Sequence, residues 1–141
     1  MIIRRQSFVR LYYHYVWATK DREPLISPRI EELIRKSFSE KSVDLNIKIL
    51  ENDGIEDHTH VLVSAPATLA PADIAKHLKG ASSHYLNTSA AGLNFRWQGG
   101  YGVVTVSPDN LAAVRWYIRR QKEHYRNGTL NGLLESDSAI G

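Results

Sequence analysis

The chain has 141 residues, 43% hydrophobic and 23% charged, a balance that suits one globular domain able to bury roughly two thirds of its unfolded surface. It contains no cysteine, which excludes disulfides, thiolate metal sites and cysteine nucleophiles, so any metal must rest on His, carboxylate or amide ligands. The formal net charge of +3 is only mildly basic, and no run approaches the roughly 18 apolar residues of a membrane span, so a cytoplasmic protein with no membrane partner is expected.

Residues 10–19 alternate aromatic and β-branched types without a breaker and read as a first strand, closed by turn chemistry at 21–24. Ser27 is a helix N-cap with Pro28 at the first helical position, and Ile30, Leu33, Ile34 and Phe38 recur at helical spacing, predicting a helix that ends near Lys41. Leu45, Ile47 and Ile49 then alternate with Asn46 and Lys48. Asn52-Asp53-Gly54 reads as a turn into a third strand at 58–64. After a break at 66–71, Ile74, Leu78, Ala81 and Tyr85 mark a second helix reaching about Asn87. A loop with Gly92, Gly99 and Gly100 leads to a strand at 101–106. Ser107 and Pro108 open a third helix running through about Tyr125, where Asn127-Gly128 stops it. The order β-α-β-β-α-β-α predicts an α+β fold: a ferredoxin-like βαββαβ core with an added C-terminal helix. One domain spanning 1–141 is expected, with a core at about 12–127 and a tail at 128–141.

Cations cluster in two zones. Arg4, Arg5, Arg10, Lys20 and Arg22 face one acid, Asp21, while Arg115, Arg119, Arg120, Lys122 and Arg126 lie on the last helix. Such zones either track a phosphate backbone or are solvated faces. In His58-Thr59-His60, alternation along a strand points both imidazoles to one face. That pair either packs or chelates a divalent ion, leaving positions for phosphate oxygens. Tyr117 and Gln121 lie four residues apart on one helix flank beside Leu111, Val114 and Ile118. A tyrosine there either packs or, among arginines and a metal, serves as a phenol nucleophile toward phosphorus. His124, on the same flank, is either a surface residue or a proton relay.

Taken together, GIEDHTHVLVSAP, LKGASSHYL, WQGGYGVVTVS and VRWYIRRQKEHYRNG, in this order across residues 12–127, resemble the single-tyrosine HUH transposases: small insertion-sequence enzymes and their domesticated REP-associated relatives. The resemblance implies that His58, His60 and Gln121 hold a divalent metal, Mg2+ or Mn2+, and that Tyr117 is the nucleophile. Thr59 departs from the hydrophobic residue usual between the two histidines. The implied reaction cleaves and rejoins single-stranded DNA beside hairpins through a 5′-phosphotyrosine. The implied working unit is a homodimer whose sites lie within one chain or across the interface, associated with the nucleoid when acting. Candidate DNA contacts are Arg10, Lys20, Lys76, Lys79, Ser82, Ser83, Arg119 and Arg120, with Tyr12, Tyr13, Tyr15 and Trp17 as stacking candidates, of which alternation along the strand makes roughly half core residues. Three other readings stand beside it: a non-catalytic single-stranded nucleic-acid module of the same fold, a metal-dependent phosphoesterase using water, and a domesticated transposase acting on host repeats.

Overall fold

The computed structural model describes residues 7–89 and 93–128. Arg4, Arg5, Gly92 and the expected tail beyond Gly128 lie outside the described residues. The strands are β1 (Leu11–Ala18), β2 (Lys48–Ile55), β3 (His58–Ala65) and β4 (Gly102–Val106), and the helices of the core are α1 (Pro28–Leu45) and α2 (Pro71–Ser89). They form one antiparallel sheet in the order β2-β3-β1-β4, the ferredoxin-like arrangement, followed by α3 (Leu111–Arg119) and α4 (Gln121–Asn127). Among the described residues no helix is long and apolar enough to cross a membrane.

Alternation along the strands gives the sheet two different faces. Tyr13, Tyr15 and Trp17 of β1 and Val61, Val63 and Ala65 of β3 pack with Phe38 of α1 and Ile74 and Leu78 of α2 in the main core. Burying side chains of this size stabilises by roughly 1.5–3 kcal/mol each. The Tyr15 hydroxyl donates to the Pro71 carbonyl at 2.7 Å, which satisfies the polar end of a buried ring. Three of the four aromatics expected as stacking candidates are therefore core residues, and Tyr12 is half-buried against the other face. On that other face Leu62 and Val106 meet Val114 and Ile118 of α3 in a smaller cluster.

The boundaries differ from expectation at three places, each for a local reason. Helix α1 runs to Leu45 rather than stopping near Lys41, because its terminator is Asn46 in the left-handed region (φ 55°), whose N–H reaches the Ser42 and Val43 carbonyls. The Asn52-Asp53-Gly54 segment lies inside β2, and the hairpin turns instead at Glu56-Asp57, with Ile55 opposite His58. Gly54 is needed for close approach: a Cβ there would sit 2.2 Å from the His58 carbonyl oxygen and 2.8 Å from Thr59 Cα, both backbone atoms. The expected single last helix is divided between Arg119 and Gln121. Arg120, at φ −108° and ψ 27°, leaves helical geometry there.

Gly54→Ala therefore forces β2 and β3 apart beside His58. The expected result is a loss of about 1–3 kcal/mol of stability, read as a lower urea midpoint at unchanged slope.

Candidate active site

His58 and His60 start β3 on the face covered by α3, 2% and 0% exposed, with ring centroids 5.2 Å apart. Each has its Nδ1 engaged. His58 Nδ1 bonds Asp57 Oδ1 at 2.9 Å, and His60 Nδ1 bonds His14 Nε2 of β1 at 2.8 Å. The bond to His58 holds the Asp57 carboxyl below the ordinary carboxylate range, against the opposing effect of burial and with help from Arg22, whose Nε lies 3.4 Å from Oδ2. Thr59 points to the opposite face, where its Oγ1 accepts from Asn52 Nδ2 at 2.9 Å. The hydroxyl that replaces the usual apolar group is thus paired inside the sheet.

Helix α3 carries Tyr117 to the same end of the sheet. Its ring is buried, with its centroid 6.3 Å from that of His60 in an edge-on arrangement. On its other side His124 stacks on it at 4.6 Å and 22°. Gln121, the first residue of α4, is fully buried. A continuous helix is thus not what relates Tyr117 to Gln121. At the break the Arg120 N–H bonds the Tyr117 carbonyl at 3.3 Å, tightening the last turn of α3, and the His124 N–H bonds the Arg120 carbonyl at 2.9 Å to start α4.

The break is held by carboxylates that alternate along the edge strand β2. Arg115 Nε lies 3.3 Å from Glu51 Oε1, which also accepts from Arg119 Nη2, and these bonds fix α3. Lys122 Nζ donates to Asp53 Oδ1 at 2.7 Å, to Glu31 at 3.0 and 3.1 Å, and to the Gly54 carbonyl at 3.1 Å, which fixes α4. Asp53 is the cross-strand partner of His60, so this clamp lies beside the histidines. The two helices on either side of the break are thus tied to separate acids on one strand.

The expected DNA contacts fall at several separate places. Ser82 is fully buried: its hydroxyl donates to the Lys79 carbonyl and accepts from Trp97 Nε1 at 2.9 Å. It is a brace for the segment before β4, not a surface residue, because the packing of Trp97 on α2 covers it. Lys79 serves the same segment, donating to the Gln98 and Gly100 carbonyls at 2.7 and 2.6 Å, and its burial lowers its pKa. Lys20, Lys79 and Ser83 line one groove of about 520 Å³ together with Asn87, Arg96 and Trp97. Lys76 faces a different groove, between α1 and α2, and exposed Arg10 lies over the Phe8 ring. Arg119 is tied to Glu51, and Arg120 lies 4.8 Å over the ring of half-exposed Trp116 while pairing with Glu123.

The site also draws in His14, Arg96 and Trp116, and Asp57, next to His58 in the sequence, serves as that ring's hydrogen-bond partner. Alternation along β1 places His14 on the face opposite Tyr13 and Tyr15, a signal that was present. Nothing local in the sequence marks Arg96 as a neighbour of Lys20, whose N–H bonds the Arg96 carbonyl across the sheet edge.

A family model described as "Transposase IS200 like" matches residues 7–121, from just before β1 to Gln121. The ISDra2 transposase TnpA of Deinococcus radiodurans is 25% identical over 120 residues, covering 81% of this chain and 86% of the relative. The transposase for insertion sequence element IS200 of Salmonella typhimurium is 30% identical over 122 residues, covering 82% and 80%. Among solved structures, a candidate transposase from D. radiodurans R1 is similar with a TM-score of 0.67 at 25% identity, over 86% of this chain and 98% of that one. A REP-associated tyrosine transposase bound to a REP hairpin has the same fold, with a TM-score of 0.65 at 14% identity over 92% of this chain and 76% of that one.

Replacing Lys122 by Met removes the α4 tie. Burial disfavours the lysine charge, but the bonds and charges of Asp53 and Glu31 outweigh it and raise the pKa. The tie is therefore fully present below the unfolded value of 10.5 and is lost as pH rises through the higher folded value. Because the side chain is half-exposed, its loss should cost on the order of 1 kcal/mol, visible as roughly fivefold faster amide exchange across α4 at neutral pH. Unchanged exchange there would remove Lys122 as the anchor.

Proposed function

The chain belongs to the IS200-like family of single-tyrosine HUH transposases, and from that membership we propose that it cleaves and rejoins single-stranded DNA beside a hairpin through a covalent 5′-phosphotyrosine on Tyr117. The observation that carries this reading is the buried Tyr117 ring, 6.3 Å between centroids from His60 in the same chain. A phenol whose only role was packing would not need buried imidazoles as its neighbours.

The donor set fits a hard or borderline divalent ion such as Mg2+ or Mn2+. His58 and His60 are engaged at Nδ1, so each would offer Nε2, and Gln121 would offer its carboxamide oxygen. Bound there, the ion would withdraw charge from the oxygens of the scissile phosphate.

The chain's own residues account for the remaining steps. Tyr117 Oη attacks phosphorus and forms a new P–O bond, the bond to the 3′-oxygen breaks, and the proton lost by the phenol is balanced by the one gained by the departing 3′-hydroxyl. A second strand's 3′-hydroxyl reverses these changes, so rejoining needs no external energy source. Stacked His124 and edge-on His60 hold the phenol ring in one plane, which favours in-line attack.

Single-stranded DNA would approach over half-exposed Trp116 and Arg120, an aromatic face with a cation beside it. The groove lined by Lys20, Ser83 and Arg96 offers phosphate contacts for the hairpin stem. A hairpin is the ligand of the REP-associated neighbour, which supports hairpin DNA as the class of ligand proposed for this chain. A homodimer acting at the nucleoid in the cytoplasm is part of the same proposal. Sites composed across two chains are not required, because the histidines and the tyrosine meet within one.

Tyr117→Phe keeps the ring and removes the attacking oxygen. It should abolish the denaturation-resistant DNA adduct and leave hairpin binding nearly unchanged; adduct at wild-type levels would exclude Tyr117. His58→Ala, His60→Ala and excess EDTA should each lower cleavage by orders of magnitude, and cleavage that persists in EDTA would remove the metal. Mixing His58→Ala/His60→Ala chains with Tyr117→Phe chains should restore no adduct even where heterodimers form. Recovery would mean that the tyrosine serves its partner's histidines.

A further inference from the structure

His14 lies in the middle of β1, 3% exposed, on the face that carries the small apolar cluster of Leu62, Val106 and Val114 beside His60. Packing alone would be served there by an aliphatic residue, and a buried imidazole costs free energy unless its polar atoms are engaged. Register explains what it reaches. Val16 is directly opposite His60 and His14 is opposite Leu62, so His14 and His60 are diagonal neighbours on one face of adjacent strands. Their rings lie 5.1 Å apart at 30°, with His14 Nε2 2.8 Å from His60 Nδ1.

A metal-ligating imidazole is neutral, and where both rings are neutral they share one proton across this bond, so only one arrangement leaves His60 able to bind a metal. If His14 donates from Nε2, His60 accepts at Nδ1 and carries its own proton on Nε2, the nitrogen a metal would need. If His60 donates from Nδ1, its Nε2 lone pair is available. We propose that His14 is a positioning residue for the metal site, accepting a hydrogen bond from His60 Nδ1–H and so fixing the tautomer and ring plane that present His60 Nε2 to the ion. Resting on the metal reading above, the proposal gives the two ligand histidines matching supports. Asp57 holds His58 at Nδ1 with a carboxylate, and His14 holds His60 at Nδ1 with a neutral ring, which orients the ligand without adding a second negative charge.

The test is Mn2+ binding to the full chain without DNA, followed by electron paramagnetic resonance of the free ion. His14→Phe keeps an aromatic ring and removes the acceptor, whereas His14→Gln retains an acceptor oxygen. Loss of an outer-shell partner should weaken Mn2+ binding by roughly 10–100-fold in His14→Phe. His14→Gln should recover most of it, with hairpin binding in EDTA and the metal-free melting temperature close to wild type for both. In the Mg2+-loaded wild type, nitrogen-15 NMR should find His60 protonated at Nδ1, a readout that holds even where a variant folds poorly. Wild-type Mn2+ affinity in folded His14→Phe, or His60 protonated at Nε2 in the loaded protein, would overturn the role of His14. Wild-type protein that takes up no more Mn2+ than His58→Ala/His60→Ala would overturn the metal reading itself, and this proposal with it.

Discussion

Buried imidazoles and amides are costly to fold unless their polar atoms are engaged, and one end of this sheet is organised around that constraint. His14, His58, His60 and Gln121 are each at most 3% exposed. The other face of the sheet carries the large aromatic and aliphatic core, closed by α1 and α2. Stability is thus concentrated on one face, which lets the other hold a polar cluster beside only a small apolar patch. A protein that needed only to fold would fill these positions with aliphatic side chains.

The second requirement is to bring a phenol to that cluster and hold it. Edge strand β2 meets it with acids at alternate positions, Glu51 for α3 and Asp53 for α4, assisted by Glu31 from α1. The cations that from sequence alone look like DNA contacts are in several cases this internal fastening: Arg119, Lys122 and, near β4, Lys79. Proximity of the tyrosine to the histidines is therefore an electrostatic as well as an apolar matter.

The order of elements was legible because strand and helix periods are strong and the caps at Ser27 and Pro28 are local. The shared face of His58 and His60 was legible for the same reason, since alternation along a strand is geometric. What escaped the sequence was set by tertiary contacts. Gly54 looks like a turn residue, yet its lack of a side chain serves the close passage of β3. Ser82 sits on a helix whose exposed face is set by the docking of Trp97, a residue fifteen positions on. The division of the last helix carries no glycine or proline to announce it, and its two parts are tied to different acids of a strand distant in sequence. Asp57 and His14 acquire roles only once the register places them against the two histidines.

The proposed reaction would attach a DNA 5′-phosphate to one particular oxygen. Tryptic cleavage after Arg115 and Arg119 isolates the peptide from Trp116 to Arg119, in which Tyr117 is the sole hydroxyl-bearing side chain. Wild-type protein would be incubated with single-stranded hairpin DNA and Mg2+, denatured, trimmed with nuclease and digested, and the peptides sequenced by mass spectrometry. A nucleotide phosphate on Tyr117 is the expected result. A nucleotide on Tyr125 or on any other residue, or cleaved DNA with no modified peptide at all, would contradict it.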